Sequence, residues 1–391
     1  MKILQINNHH YKHGGAEIVY LNTIDLLRNQ GHIVITLSRK KEAVFSNEQY
    51  EYFIPYSNSL KDRFYSSKAN ELIKKIIINE KPDIAHIHNI IGGITFSILP
   101  VLRDHRIPVV ATLHDYKLLC PSCNFIDGNV QICEKCKVGK YYNCTINRCS
   151  STGYFRSFLW SCENYLRDSL FPFNQLIDKY IFVSKFSKNK HLEFYPDLLS
   201  KSNQIYNFTT NLKLNINRGK YFLYYGRLSR EKGLLTLLNA FKELPELNLK
   251  IVGNGNLMSS LEMNKTPNIE LVSFKSGKEL HDIIQNSSFV IVPSECFENN
   301  PMAIVESFAL GKPVIGANLG GIPEVIENKK TGFLFKSTDW KSLVEIVKES
   351  SQLSLEKYVE LSNQAFNFAS EKFSPEIYYD QLMKIYNEVL H

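Results

Sequence analysis

Two glutamates, Glu298 and Glu306, stand with seven residues between them in PSECFENNPMAIVESFALGKPVIGANLGGIPEVI, directly after the apolar run FVIVP. Pro301 suits the first turn of a helix, which leaves Glu298 at a loop edge and sets Glu306 two turns along that helix. Carboxylates so placed accept hydrogen bonds from the hydroxyls of a sugar and of a ribose. Upstream, GRLSREKGLLTLLNAF carries Arg227 and Lys232 between another apolar run and a helix. Two cations there neutralise charge building on a departing diphosphate. Near the N-terminus, HHYKHGGAEIVYL sets Gly14 and Gly15 just ahead of a helix start, where backbone N–H groups and the helix dipole favour a phosphate or another anion. Each feature alone has a plainer reading: a glycine turn, a solvated basic loop, a chance glutamate pair.

The segments that must position these residues alternate short β-branched runs with amphipathic stretches. KILQI (2–6), a helix from Ala16 to Gln30 ending at Gly31, and IVITL (33–37) give βαβ order. The series continues with a helix near 67–80, IAHIH (84–88), VVATLH (109–114), a helix near 154–170 and YIFVS (180–184). A second series runs through YFLYYG (221–226), LKIVG (249–253), IELVSF (269–274), FVIVP (289–293) and PVIGA (313–317). Both read as doubly wound parallel sheets. The polar, Asn-rich stretch 206–220 between them is the candidate hinge, and helices near 354–370 and 374–390 close the chain. In an open sheet of this kind, ligands bind outside the carboxyl ends of the strands, where Arg227, Lys232 and Glu298 fall.

With these motifs in order, the block from Arg227 through Glu327 resembles the donor domain of GT-B glycosyltransferases of the retaining family four. GGAE (14–17), PDIAHIHN (82–89) and TLHD (112–115) resemble that family's acceptor domain, so the likeness spans nearly the whole chain. The resemblance implies an α/β GT-B fold of two Rossmann-like domains facing a central cleft. Residues 1–205 would form the acceptor side with a Cys-rich insertion at 120–150, residues 206–372 the nucleotide-sugar domain, and residues 373–391 a helix packing back on the first domain.

Residue by residue, the resemblance assigns Gly14 and Gly15 to the donor diphosphate and reacting sugar. Arg227 and Lys232 go to the diphosphate, Gly253 to the nucleoside, Glu298 to the donor sugar and Glu306 to ribose. Asn300 joins the donor-binding set, and His114, at the end of VVATLH, helps place the donor sugar, so that His114 and Glu298 are the catalytic candidates. It further implies a UDP- or GDP-sugar donor, no catalytic divalent metal, retention of configuration, and a glycan or polyprenyl-diphosphate-linked acceptor in bacterial surface polysaccharide synthesis. No residue stands out as a covalent nucleophile, which favours a same-face, ion-pair-like displacement.

Seven of eight cysteines lie between Cys120 and Cys162. In a chain without a secretion signal, CxxC pairs read as ligands of a structural zinc more readily than as disulfides. Spacing favours Cys120, Cys123, Cys133 and Cys136, whereas similar insertions in relatives match Cys120, Cys133, Cys136 and Cys149. Reduced cysteines without metal are the alternative.

The 391 residues suit two domains better than one, and 44% hydrophobic with 22% charged residues is ordinary globular composition. MKILQINNHH lacks the apolar core of a signal peptide, and no apolar run approaches the length of a membrane span, which reads as a cytoplasmic chain with at most peripheral membrane contact. Residues 1–205 carry 26 Lys and Arg against 18 Asp and Glu, while residues 206–391 carry 20 against 21. The basic first half admits an anionic membrane surface or lipid-phosphate acceptor as partner. A dinucleotide fingerprint fails because Met258 stands where IVGNGNLM needs its third glycine, and the Asp-x-Asp of metal-dependent GT-A transferases is absent. A GT-B epimerase or phosphorylase remains the enzymatic alternative. A zinc-containing nucleic-acid-binding module is the non-enzymatic one, disfavoured by dispersed basic and aromatic residues; no nucleic-acid partner is expected.

Overall fold

Consecutive parallel strands require a helix to carry the chain back across the sheet. The computed structural model, which describes residues 1–12, 14–40, 49–57 and 59–391, shows this arrangement twice. His13, inside the HHYKHGGAEIVYL motif, lies outside the described residues. The chain divides into one unit of Met1–Tyr206 with Tyr378–His391 and a second of Asn207–Ile377.

The first unit holds seven strands: β1 (Lys2–His9), β2 (Ile33–Lys40), β3 (Glu51–Pro55), β4 (Ile84–Ile87), β5 (Val109–Leu113), β6 (Lys179–Phe182) and β7 (Ser202–Gln204). They pair in parallel in the order β3-β2-β1-β4-β5-β6-β7. The second unit holds six: β8 (Phe222–Tyr225), β9 (Leu249–Val252), β10 (Ile269–Val272), β11 (Val290–Val292), β12 (Val314–Ala317) and β13 (Gly332–Phe335). Their order is β10-β9-β8-β11-β12-β13, again all parallel. The central strands are covered on both faces, which explains their unbroken apolar character: Ile3, Leu4, Ile6, Ile84 and Leu223 are wholly buried. Gln5 and His86 are equally buried in the same strands, polar exceptions that reappear at the site.

Three strands fall outside the runs read from sequence. β7 is SNQ, three polar residues, and β3 is EYFIP; both are sheet edges, where one neighbour suffices and an apolar face is not demanded. β13, GFLF, is the other unmarked edge, lying after a turn. The last helix, Pro375–Leu390, buries Tyr378, Leu382, Ile385 and Tyr386, and Thr23 donates a hydrogen bond to the Tyr378 hydroxyl at 3.1 Å. Residues 206–220 carry no strand or helix, and Lys213 donates its backbone N–H to Ala309 at 2.9 Å. Among the described residues no helix is long and apolar enough to cross a membrane.

Candidate functional site

In each sheet the strand order reverses once, between β1 and β4 in the first unit and between β8 and β11 in the second. Loops leaving the carboxyl ends of such neighbours diverge and open a crevice. The expected site residues sit on these loops.

In the second unit, the loop after β8 and the loop after β11 are clipped together. The Glu295 N–H donates to the Glu231 carbonyl at 2.9 Å, and the Thr236 hydroxyl donates to Glu295 at 2.6 Å. Gly233, at φ 71°, lies so close to the end of β11 that a Cβ would stand 1.8 Å from the Pro293 carbonyl oxygen. Gly253, at φ 150°, approaches the Gly226 carbonyl oxygen to 1.9 Å on the same measure, so β9 closes on the loop after β8. Neither contact tolerates a side chain. Gly233→Ala is expected to destabilise the fold by more than about 1 kcal/mol, read as a lower midpoint in urea unfolding.

This packing brings Lys232 and Glu298 together: the ammonium donates to Glu298 Oε1 at 2.5 Å, and the Ser294 hydroxyl donates to the same oxygen at 2.7 Å. Burial opposes the Lys232 charge, yet Glu298, with help from Cys296 and Tyr224, outweighs it and holds the ammonium above its ordinary range. Burial likewise opposes the Glu298 carboxylate, and Lys232, Ser294 and exposed Arg227 together bring its carboxyl below the ordinary value. The pair is ionised at neutral pH, with a second cation beside it.

Glu306 lies half-buried on the helix Met302–Ala309, whose first residue follows Pro301. Burial, and after it the Glu306 carboxylate, holds the Tyr225 phenol protonated, and that hydroxyl donates to the Ala303 carbonyl at 2.9 Å. Asn300 is buried; its Oδ1 accepts from the Asn207 backbone N–H and its carbonyl from the Asn207 side chain, both at 2.8 Å, while its Nδ2 meets no partner among the described residues. Asn300 therefore anchors the start of the second unit as well as lining the loop after Glu298.

In the first unit, Asn7 and Asn8 at the end of β1 tie this strand to the loop after β4: Asn7 Oδ1 accepts from Asn89 N–H at 3.0 Å, and Asn8 Oδ1 from Ile94 N–H at 2.9 Å. Gly14 then caps the helix Gly15–Asn29 without a side chain, and buried Glu17 is the carboxylate of its first turn.

His114, at the end of β5, does not stand alone. Its Nε2 lies 2.9 Å from His88 Nδ1, and His88 Nε2 lies 3.0 Å from Gln5 Oε1. Gln5 Nε2 donates to the Tyr386 hydroxyl at 3.2 Å, which is 2.7 Å from His86 Nδ1, while His86 Nε2 is 2.7 Å from the Thr112 hydroxyl. Burial lowers all three histidines, His114 to about 4, His86 to about 3 and His88 well below the usual value, so the chain is neutral at physiological pH. The Gln5 carbonyl only accepts, so His88 carries its proton on Nε2; its Nδ1 then accepts from His114 Nε2–H, and Nδ1 is the unprotonated nitrogen of His114. Gln5, His86, His88 and Tyr386 were not among the expected site residues. The period-two histidines of IAHIH and the glutamine inside an apolar strand are the signals that mark them.

The expected zinc site at Cys120, Cys133, Cys136 and Cys149 is not supported. Among the described residues, no group of three or more His, Cys, Asp or Glu is arranged to hold a metal ion. None of the eight cysteines, all among the described residues, is in a disulfide. The Cys120 sulfur is 3.2 Å from the Ser122 hydroxyl, and Cys136 and Cys144 pack with Tyr141 in an apolar cluster. A hydrogen bond to Cys144, ahead of burial, raises the Cys149 thiol. The four thiols do share a neighbourhood: burial first, then Cys120, Cys149 and Cys133, pushes the Cys136 thiol up. The insertion packs onto the first unit through Phe125, whose ring meets buried Tyr116 at 5.0 Å with a 58° tilt and Phe194, at the end of the helix Lys185–Phe194, at 5.7 Å.

Known proteins place this geometry. An uncharacterised glycosyltransferase of Methanocaldococcus jannaschii is 26% identical across 100% of this chain and 99% of that relative. The amylovoran biosynthesis glycosyltransferase of Erwinia amylovora is 28% identical over 36% of this chain and 39% of its own. The Anabaena protein HepE, solved in complex with UDP and glucose, superposes with a TM-score of 0.69 at 17% identity, covering 99% of this chain and 100% of that one. That likeness, with the two parallel sheets, makes the fold GT-B. Residues 210–368 match the family described as Glycosyl transferases group 1. Since residues 13–209, the half holding Gly14, Gly15, His86, His88 and His114, match Glycosyltransferase Family 4, the chain belongs to that family.

Proposed function

We propose that this glycosyltransferase moves a hexosyl group from a UDP- or GDP-sugar to a glycan or polyprenyl-diphosphate-linked acceptor, with retention of configuration, in surface polysaccharide synthesis. The observation that carries the reading is the ionised Lys232–Glu298 pair with Arg227 beside it at the switch point of the second sheet. Arg227 and Lys232 supply the positive charge that a departing nucleoside diphosphate demands, so no divalent metal is required for that step. Glu298 and Glu306 accept from donor-sugar and ribose hydroxyls, Gly253 and Asn300 shape the donor loops, and His114 with the Gly14–Gly15 helix start serves the reacting sugar.

The donor domain is assigned to the second unit and the acceptor side to the first, on the cytoplasmic face of a membrane. Support for the donor class comes from HepE, which was solved with UDP and glucose, and for the pathway from the amylovoran enzyme. Calorimetric titration with UDP, GDP and their sugars, in buffer with EDTA, tests the reading. One nucleotide is expected to bind at micromolar affinity, with Arg227→Ala weakening it at least about tenfold. Binding that needs added magnesium or manganese, or no nucleotide binding at all, refutes it.

A further inference from the structure

The helix Tyr154–Leu170 is inside out. At 100° per residue, Tyr154, Phe155, Phe158, Tyr165, Leu166 and Leu170 share one side of it, and each is between 41 and 65% exposed. Ser157, Ser161, Glu163, Asn164 and Arg167 occupy the other side and are buried. A helix packed on a soluble domain shows the reverse. The orientation is fixed by hydrogen bonds: the Ser157 hydroxyl accepts from Ser150 N–H at 3.0 Å, the Ser161 hydroxyl donates to the Tyr141 carbonyl at 2.7 Å, and Arg167 donates to the Lys117 and Leu118 carbonyls at 3.0 and 2.9 Å. Turning the aromatic side inward would withdraw the Arg167 guanidinium from the Lys117 and Leu118 carbonyls that it satisfies.

The apolar surface continues beside the helix. Tyr142 donates its N–H to the Tyr165 hydroxyl at 3.3 Å, and Tyr142 and Ile146, on the short helix Tyr142–Ile146, are 50 and 67% exposed. Residues 135–156 contain Lys135, Lys137, Lys140, Arg148 and Arg156, all exposed, and no acidic residue. Aromatic and aliphatic side chains beside this group of exposed cations match the boundary of an anionic bilayer, where rings lie at headgroup depth and Lys and Arg meet lipid phosphates. A second copy of the same face would bring like charges together.

We infer that the outward face of the helix Tyr154–Leu170, with the Lys- and Arg-rich segment 135–156, is a docking surface for an anionic lipid bilayer. This deepens the lipid-linked acceptor in the proposed function and gives the first unit's excess of positive charge a location. Docking keeps the enzyme at the surface where an acceptor on a polyprenyl diphosphate is confined.

The test is co-sedimentation of the full chain with phosphatidylcholine vesicles, with and without phosphatidylglycerol, at low and high salt. Wild type is expected to sediment with the anionic vesicles at 0.1 M salt and to be released at 1 M, as the screening length falls from about 10 Å to about 3 Å. Phe155→Ser with Phe158→Ser is expected to lower partitioning at least about tenfold. Lys140→Glu with Arg156→Glu is expected to remove the preference for anionic lipid. All four positions are exposed, so the fold is retained, checked by circular dichroism. Equal sedimentation of wild type and the serine variant overturns the inference, as does failure of wild type to bind. A dimer that the serine substitutions dissolve would make a second copy the occupant and overturn it too. Turnover on a soluble acceptor by the serine variant stays within about twofold of wild type; if wild type transfers no sugar yet sediments as expected, the sugar-transfer reading fails and the docking surface stands.

Discussion

Lys232→Ala is expected to lower sugar transfer by at least about a hundredfold, which corresponds to about 2.7 kcal/mol of transition-state stabilisation. The loss has two parts. One cation proposed to face the departing diphosphate disappears, and the Glu298 carboxylate, until then held by Lys232 at 2.5 Å, is left largely buried without its main compensating charge. Its carboxyl pKa should rise, since Lys232 heads the contributions that offset burial. Glu298→Gln removes the carboxylate and keeps the ammonium, so nucleotide affinity should hold while turnover falls by a similar factor. The double variant is the discriminating measurement. Because the two groups act as a pair, its turnover should resemble that of the worse single variant instead of showing the product of both losses. Near-normal turnover in either single variant, or full additivity in the double, removes this pair from the reaction centre.

The pairing explains what sequence alone reveals and what it withholds. Lys232 and Glu298 are each legible from charge, glycine placement and the apolar run that precedes them. Their contact is not, because it depends on β8 and β11 becoming neighbours across a crossover, with Gly233 admitting Pro293 at a distance that excludes a side chain. Central strands are likewise legible because burial on both faces demands unbroken apolar runs, while β3 and β7 escape notice because an edge needs neither. The cysteine insertion misleads for a related reason: CxxC spacing is local, whereas the Tyr116, Phe125 and Phe194 packing that organises the segment joins residues far apart in sequence. At the histidines, IAHIH displays its period of two openly. Tyr386, three hundred positions from His86, enters through the last helix and has no local signature.

That histidine chain makes Gln5→Glu the most informative change in the first unit. In the native protein the Gln5 carbonyl faces His88 Nε2 at 3.0 Å, fixing the proton there and leaving His88 Nδ1 to accept from His114. A glutamate at position 5 shares a proton with His88. Whether that proton rests on the carboxyl, so that Nε2 accepts and Nδ1 is protonated, or on the ring as imidazolium, His88 Nδ1 carries hydrogen and donates to His114 Nε2. Both arrangements invert the His114 tautomer and move its proton to Nδ1. Only when the shared proton is lost at higher pH does Nδ1 accept again. A wrong tautomer with correct geometry costs orders of magnitude where the histidine transfers protons. His114 is proposed to place the donor sugar, so a loss of about tenfold to a hundredfold in kcat at neutral pH is expected, recovering as pH rises, with nucleotide affinity unchanged because the nucleotide is assigned to the second unit. Wild type should show no such recovery, since burial keeps His114 neutral down to about 4. Nitrogen-15 shifts report the tautomer directly: the protonated nitrogen of His114 is expected to be Nε2 in wild type and Nδ1 in the variant below the transition. An unchanged tautomer, or a loss of activity that pH does not reverse, would show that Gln5 serves packing alone and that His114 takes its orientation from elsewhere.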